Sequence, residues 1–192
     1  MKERFEQLLS SVQRDGIDKL LDFIRRSDFY TAPASTKHHG AYEGGLLEHS
    51  LNVFDCLDKK TSGSEYNIWK PYLVDVSADT LIIVSLLHDL CKTYYYTTEI
   101  RNVKENGVWV QKPFYTVDDK YPLGHGSKSV VFISQFIKLT MEEIMAITHH
   151  MGPYCGQQDW GTLGIAFEKY PLALALHQAD MEATYLLEKG GD

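Results

Sequence analysis

Two ionisable residues, His88 and Asp89, end a stretch of the sequence that is otherwise almost wholly apolar. Residues 80–87 read Thr-Leu-Ile-Ile-Val-Ser-Leu-Leu, and this pattern predicts a buried helix over about 79–91. An ionised carboxylate is costly to bury unless another group neutralises it. Histidine and carboxylate side chains from separate helices are common ligands of divalent metals. The pair is therefore a candidate for the centre of a metal site.

Two further predicted helices each carry one polar residue on the face that should be buried. His49 lies on the apolar side of a helix predicted over about 45–57. Asp180 interrupts the apolar stripe of a helix predicted over about 171–189. Each has an ordinary alternative: a core histidine bonded to a carbonyl group, and a carboxylate paired with Lys or Arg. Combined with the His-Asp pair, they would supply two imidazoles and two carboxylates to one divalent ion.

Three more histidines lie at predicted helix ends and are candidates for a second metal position. His125 lies between two glycines where a helix is predicted to begin, and His149 and His150 end another predicted helix. Asp89 could be shared between the two ions. Paired ions of this kind lie roughly 3.5–4 Å apart and clamp both oxygens of a displacement reaction.

The remaining pattern predicts a mainly helical protein with one β-hairpin. Residues 94–117 are rich in Tyr, Thr, Val, Trp and Phe, and Asn106-Gly107 between two such runs is a strong hairpin signal. Asp79 is predicted to cap the buried helix, and residues 151–164 are predicted to be a loop. The predicted helices cover residues 3–13, 17–26, 45–57, 79–91, 125–138, 141–150 and 171–189.

The aromatic hairpin has two possible roles. It is either a small sheet that covers one end of the helices, or a lid over a binding site. In the second case Tyr94 to Tyr96, or Trp109, would stack on a base or a sugar. The sequence alone leaves both roles open.

Length and composition narrow the class of protein. The 192 residues suit one domain, and the net charge of −7 argues against an extended nucleic-acid surface, which is usually basic. No apolar stretch reaches the roughly 18 residues that span a membrane, and the N-terminus lacks the apolar segment of a signal peptide. We therefore expect a cytoplasmic protein whose cysteines, Cys56, Cys91 and Cys155, are free thiols.

At these residues the sequence resembles the HD-domain metal-dependent phosphohydrolases. That family is defined by a histidine, a His-Asp pair and a final aspartate in that order, which correspond here to His49, His88, Asp89 and Asp180. The resemblance covers about residues 33–187. Particular stretches are similar to the HD domain of bacterial 3′–5′ exoribonucleases and related small HD proteins. These stretches include Gly44–Leu51, Leu86–Thr93 and Ala173–Asp180.

The resemblance implies an all-α fold, an HD-domain helical bundle with the metal site at its centre. We expect one such domain over residues 1–192, with the helices of residues 1–30 packed on it and the hairpin of about 94–117 inserted. The nucleic-acid-binding domain of the exoribonucleases is not part of the resemblance. RNA degradation is therefore not implied.

The resemblance also implies which residues hold each ion. The first ion would be bound by the four residues of the family pattern. The second would share Asp89 and add His125 and His149, because His149 rather than His150 fits the register of relatives. One or two ions of Mn, Fe, Ni, Co or Zn, with Mg as a further option, would suit such ligands.

Around the ions, the resemblance assigns a phosphate contact to Lys92. This residue matches the lysine of the family's HDxGK segment, and Cys91 stands where that segment has glycine. His38, His39 and His150 are further candidate substrate contacts, and one of them would protonate the leaving oxygen.

The implied function is metal-dependent hydrolysis of a phosphate ester of a small molecule, with nucleotides among the possible substrates. Asp89 would orient a water activated by the metal, and Lys92 would help to stabilise charge on the phosphoryl oxygens. Two alternatives use the same ligands: a di-iron oxygenase, as some relatives are, and a non-catalytic nucleotide-binding regulatory module.

Overall fold

The computed structural model describes residues 1–62, 67–157 and 160–188 of the chain. This part is mostly helical, with a two-stranded antiparallel hairpin inserted between the helices, as the sequence predicted. The elements are α1 (Lys2–Ser11), α2 (Ile17–Arg26), α3 (Gly45–Thr61), α4 (Lys70–Leu73), α5 (Ala78–Leu87), a 3-10 turn (Leu90–Lys92), β1 (Tyr96–Glu105), β2 (Val108–Val117), α6 (His125–Ser134), α7 (Met141–His149), a second 3-10 turn (Gly152–Tyr154), α8 (Trp160–Lys169), α9 (Pro171–Glu182) and a π-helical turn (Ala183–Leu187).

The core forms where α3, α5, α7 and α9 pack against one another. Every residue of α5 from Thr80 to Leu87 is buried, which explains why this helix is apolar on all sides rather than along one stripe. Val53 of α3, Ile83 of α5 and Leu176 of α9 are fully buried in the same cluster. The packing brings together the parts of these helices that carry or adjoin the candidate ligands His49, His88, Asp89, His150 and Asp180.

The N-terminal helices share this core. Phe5 and Leu9 of α1, and Leu20 and Ile24 of α2, are fully buried members of the same apolar cluster. Helix α1 packs against α2, α3 and α5. The interpretation of the whole chain as one HD domain remains a prediction. None of the helices in the described part of the chain has the length and apolar content needed to cross a bilayer.

The hairpin forms as its turn residues predict. Strands β1 and β2 pair from Tyr96 opposite Val117 to Glu105 opposite Val108. The two residues between them, Asn106 and Gly107, both have positive φ angles of 50° and 85°. Such a two-residue turn matches the right-handed twist of paired strands and favours Asn-Gly.

Three local predictions were wrong. Ser77 rather than Asp79 caps α5, because its side chain accepts the Thr80 backbone N–H at 3.1 Å, while Asp79 accepts the backbone N–H of Gln13. Helix α5 ends at Leu87 instead of near residue 91. The loop predicted over 151–164 contains a 3-10 turn and the start of α8; its residues 158 and 159, like residue 189 at the end of the last predicted helix, lie outside the described residues.

Helix α8 was missed because glycines weaken its local pattern. Gly161 and Gly164 both lower helix propensity by about 1 kcal/mol each relative to alanine. Tertiary packing outweighs that cost, since Leu163 and Ala166 of this helix are buried and the helix packs against α9.

Candidate metal centre

Six predicted site residues come together from five segments of the chain. His49 lies within α3, the His88-Asp89 pair directly follows α5, and Asp180 lies within α9. The other two are His125, the first residue of α6, and His150, which directly follows α7. His49, His88, Asp89 and His150 are at most 2% exposed.

The imidazoles of His49 and His88 face each other beside two carboxylates. The Nε2 atom of His49 lies 3.3 Å from Nε2 of His88 and 3.3 Å from Oδ1 of Asp180. Oδ2 of Asp89 lies 3.7 Å from His49 Nε2 and 3.5 Å from His88 Nε2. Ligands at the roughly 2.0–2.2 Å typical of tetrahedral sites lie about 3.3–3.6 Å from one another. The ligand atoms of His49, His88 and Asp180 are therefore close enough for one ion, and Asp89 Oδ2 lies within 3.7 Å of both imidazoles.

The backbone orients two of these histidines with Nε2 towards the centre. His88 Nδ1 lies 2.8 Å from the Ser85 carbonyl oxygen, and His150 Nδ1 lies 2.7 Å from the Ile147 carbonyl oxygen. A carbonyl oxygen only accepts hydrogen bonds, so each Nδ1 carries a proton, and Nε2 is the atom that can present a lone pair to an ion. Such outer contacts are typical of metal-binding histidines.

The lone pair of His150 is left without a hydrogen-bond donor. Its Nε2 atom is buried and has no hydrogen-bond partner among the described residues, although it lies 3.5 Å from Oδ1 of Asp89. Buried polar atoms are rarely left in this condition unless an ion or water serves them. A cation or a water beside Asp89 would satisfy this nitrogen.

The electrostatics of the cluster favour a positive charge at its centre. Burial lowers the pKa of His88 to about 3, so its ring is neutral at physiological pH. Burial opposes charge on His49 as well, but Asp180 and Glu188 outweigh it and raise its pKa to about 10. The charges of Asp180 and Glu188 therefore favour a positive charge on or beside the His49 ring. A divalent cation would meet the same two carboxylates and the same ring nitrogens.

Asp89 lies between two groups of candidate ligands. Its Oδ1 atom is 2.6 Å from Nε2 of His125, on the side where His150 also lies, and its Oδ2 atom faces His49 and His88. Burial raises the pKa of this carboxyl, but Lys92 and the histidines outweigh burial and lower it well below its usual value. Asp89 is therefore ionised and placed where a shared ligand would be.

Lys92 is paired with Asp89 rather than free at the surface. The chain leaves the helical path after α5, and the 3-10 turn brings Lys92 Nζ within 2.6 Å of Asp89 Oδ2. Burial lowers the pKa of Lys92, but Asp89 outweighs burial and raises it. This ion pair explains how Asp89 is neutralised without metal. It does not explain the orphaned Nε2 of His150.

The structure favours His150 over His149 as the histidine of the second group, in contrast to the register preferred from the sequence. Successive residues of an α-helix point about 100° apart, so only one of the two can face Asp89. Here that residue is His150, which is fully buried, whereas His149 is partly exposed. The ring of His150 also lies 5.4 Å from that of His125, measured between centroids.

Three contacts around these side chains were not predicted from the sequence. Both carboxylate oxygens of Glu188 lie 3.0–3.1 Å from Nδ1 of His49. Cys91 Sγ lies 3.2 Å from Nδ1 of His125, and His177 Nδ1 donates to the His150 carbonyl oxygen at 2.7 Å. The spacing of His177 from Asp180, three residues, could have placed both on one helix face. No periodicity identifies Glu188, because it follows a π-helical turn.

Part of the cluster lines a cavity of about 740 Å³, namely His49, Asp89, His125 and Asp180. His38 and His39, the predicted substrate contacts, also line this cavity, as do Tyr95 and Tyr96 at the base of the hairpin. Burial and the neighbouring His49 lower the pKa of His39 to about 4, so this ring is neutral at physiological pH. Trp109, near the tip of the hairpin, does not line this cavity and is 69% exposed.

Fold and site together define a helical protein with a buried histidine and aspartate cluster, open to a cavity and able to hold a metal ion. Over 87 residues the chain is 38% identical to the dihydroneopterin 2′,3′-cyclic phosphate phosphodiesterase of Methanocaldococcus jannaschii. The aligned part is 45% of this chain and only 31% of that enzyme. No family model matches the chain, and no solved structure matches it. The relative is a phosphodiesterase of a small molecule, so it lends no support to the comparison with exoribonucleases.

Proposed function

We propose that this protein is a metal-dependent phosphohydrolase of the HD type that cleaves a phosphate ester or cyclic phosphodiester of a small molecule. The observation that carries the proposal is the convergence of His49 and His88 with the carboxylates of Asp89 and Asp180, beside a cavity that His49 and both carboxylates line. A further support is the similarity to a phosphodiesterase that acts on a small cyclic phosphate.

The ligands in this proposal are His49, His88, Asp89 and Asp180 for the first ion. His125 and His150 would complete a second position around Asp89. A bound divalent ion would act as a Lewis acid and lower the pKa of a coordinated water to about 7. Transition metals such as Mn, Fe, Co, Ni or Zn suit this mixture of nitrogen and oxygen donors.

Lys92 supplies the cation that meets the substrate phosphate. Its ammonium group pairs with Asp89, and a divalent ion bound to Asp89 would replace that charge and leave Lys92 free to contact the phosphate. It lines the cavity, and as an ammonium it donates up to three hydrogen bonds. Neutral His39, whose buried Nε2 atom has no hydrogen-bond partner in the described part of the chain, would serve as a hydrogen-bonding contact, and His38 would lie at the cavity wall.

The size of the cavity sets the class of substrate. Ligand pockets for small molecules have volumes of roughly 300–1,000 Å³, and the cavity of about 740 Å³ lies within this range. Tyr95 and Tyr96 place aromatic surface beside the metal cluster, and such rings pack well on a planar heterocycle. We therefore propose pterin-like and nucleotide phosphates, including 2′,3′-cyclic phosphates, as the substrates to test.

The test is a panel of phosphate monoesters and 2′,3′-cyclic phosphates, assayed with apo-protein to which Mn, Fe, Co, Ni, Zn or Mg is added separately. The proposal predicts phosphate release, or ring opening, that depends on the added metal and is lost in Asp89→Asn. Oxygen consumption without phosphate chemistry would instead identify an oxygenase. Tight ligand binding without turnover under any metal would identify a regulatory module.

A further inference from the structure

Glu188 is a buried carboxylate that the proposed chemistry does not use. It is 8% exposed, and its two oxygens lie 3.0 and 3.1 Å from Nδ1 of His49. Asn52, one turn after His49 on α3, donates from Nδ2 to Glu188 Oε1 at 2.9 Å. Glu188 is therefore held from two sides, and its charge is directed at the outer nitrogen of one candidate ligand.

A local irregularity of the chain puts Glu188 in this place. Residues Ala183–Leu187 form a π-helical turn after α9, and the Glu188 N–H donates to the Ala183 carbonyl oxygen at 3.0 Å. A π-helical turn spans one more residue than an α-helical turn, so it shifts the residues that follow around the helix axis. Such turns are rare in proteins, and those that occur are often found at functional sites. Here the shift brings the carboxylate over His49.

The four candidate histidine ligands have different outer partners at Nδ1. His88 and His150 are held by neutral backbone carbonyl groups, and His125 lies against the sulfur of Cys91. His49 alone of these four, within the described residues, has a carboxylate at Nδ1. A charged acceptor makes a stronger hydrogen bond than a neutral one, and it increases the basicity of the opposite ring nitrogen.

We propose that Glu188 is a positioning residue of the metal centre, which holds His49 with Nε2 towards Asp89 and Asp180 and strengthens its bond to the ion. This inference rests on the proposed metal centre and makes His49 its strongest imidazole ligand. It also assigns a purpose to the π-helical turn, because a regular helix would carry residue 188 on a different face.

The test compares metal affinity in Glu188→Gln, Glu188→Ala and a matched control. Glu188→Gln keeps the shape and an acceptor oxygen but removes the charge, while Glu188→Ala removes both. The control is Glu182→Gln, which alters a glutamate at the end of α9 that pairs with Lys60 outside the cavity. Affinity is measured with Co²⁺ by visible absorption and with Zn²⁺ by competition with a chromophoric chelator.

Loss of an outer carboxylate typically weakens metal binding about 10–100-fold. We therefore expect a loss of about tenfold in Glu188→Gln, a larger loss in Glu188→Ala, and wild-type affinity in Glu182→Gln. Added formate should partly restore the affinity of Glu188→Ala, because it can occupy the vacated space and accept the Nδ1–H of His49. A purely structural role would not be rescued by formate.

The outcomes separate the two levels of the proposal. Wild-type affinity in both Glu188 variants, with a wild-type protein that binds the ion, would overturn the role of Glu188 and leave the metal centre intact. A wild-type protein that binds neither Co²⁺ nor Zn²⁺ would overturn both. A loss of affinity that follows loss of folding in thermal unfolding, without formate rescue, would show that Glu188 only anchors the chain.

Discussion

Removal of Glu143 should destabilise the protein through a buried ion pair that fixes the helix leading to His150. Glu143 of α7 is fully buried, and its oxygens lie 2.6 and 2.7 Å from the guanidinium of Arg14. It also accepts from the Thr80 hydroxyl and from the Thr140 backbone N–H, which completes a capping box at the start of α7. One carboxylate thus joins three segments of the chain.

The expected loss of stability in Glu143→Ala comes from the Arg14 guanidinium, which would lose its carboxylate partner. Breaking a buried ion pair by removing one partner costs about 3–5 kcal/mol. The Arg14 side chain keeps 19% exposure and can partly rehydrate, so we expect the lower end, about 3 kcal/mol, for Glu143→Ala. For a chain of this length each kcal/mol lowers Tm by about 2–4 °C, which gives a decrease of about 6–12 °C. The control Glu142→Ala removes the neighbouring carboxylate and leaves the ion pair in place.

The same pair predicts a pH dependence. Burial raises the pKa of Glu143, but hydrogen bonds from Arg14, Thr140 and Thr80 outweigh burial and lower it below 4.5. Because the unfolded state then binds the proton more readily, the stabilisation is complete above about pH 4.5 and is lost as the pH falls through the folded-state pKa. Urea unfolding of wild type and Glu143→Gln should differ by a constant amount from pH 7 to 5 and converge below. Equal stability of Glu143→Ala and the Glu142 control at pH 7 would refute this reasoning.

Three further variants test separate parts of the site. His150→Ala should reduce metal content or affinity, whereas His149→Ala should not. The reverse result in elemental analysis would show that His149 is the ligand, as the sequence predicted. Lys92→Met should lower kcat/KM for phosphate substrates about tenfold or more, as expected for a lost charged hydrogen bond of about 1.5–3 kcal/mol, with unchanged metal content; unaltered kinetics would make Lys92 only a counter-ion. Gly152→Ala should lower stability by about 1–3 kcal/mol, because φ is +53° and an added Cβ would lie 2.5 Å from the His177 ring; wild-type Tm in this variant would contradict the strain.

Much of the fold could be predicted because its signals are local. The apolar run before His88 identifies a buried helix, and Asn106-Gly107 identifies the hairpin turn. The polar residues on apolar faces, His49 and Asp180, were predicted to approach the His-Asp pair, and the structure places them within 3.3–3.7 Å of it or of each other. An ionisable residue on an apolar helix face indicates a site, because burying its charge is costly unless the charge is paired or binds a metal.

The remainder depended on geometry that no periodic pattern encodes. The choice between His149 and His150 depends on how α7 is rotated about its axis, because a shift of one residue turns a side chain by about 100°. Lys92 meets Asp89 because the chain enters a 3-10 turn, which neither the apolar pattern nor the resemblance predicted. Glu188 reaches His49 only through a π-helical turn. Each of these contacts depends on where one helix ends, and helix ends are poorly specified by local sequence.

The most direct test of the central claim is the anomalous diffraction of crystals grown with Co²⁺ or Mn²⁺, collected at the absorption edge of the metal. The account predicts a peak at roughly 2.0–2.3 Å from Nε2 of His49 and of His88, with a carboxylate oxygen of Asp89 and of Asp180 completing the ligands. It also predicts that Lys92 Nζ moves away from Asp89 when the ion binds. A map without a peak there, in which the Lys92–Asp89 ion pair is intact and a water serves His150 Nε2, would contradict the account.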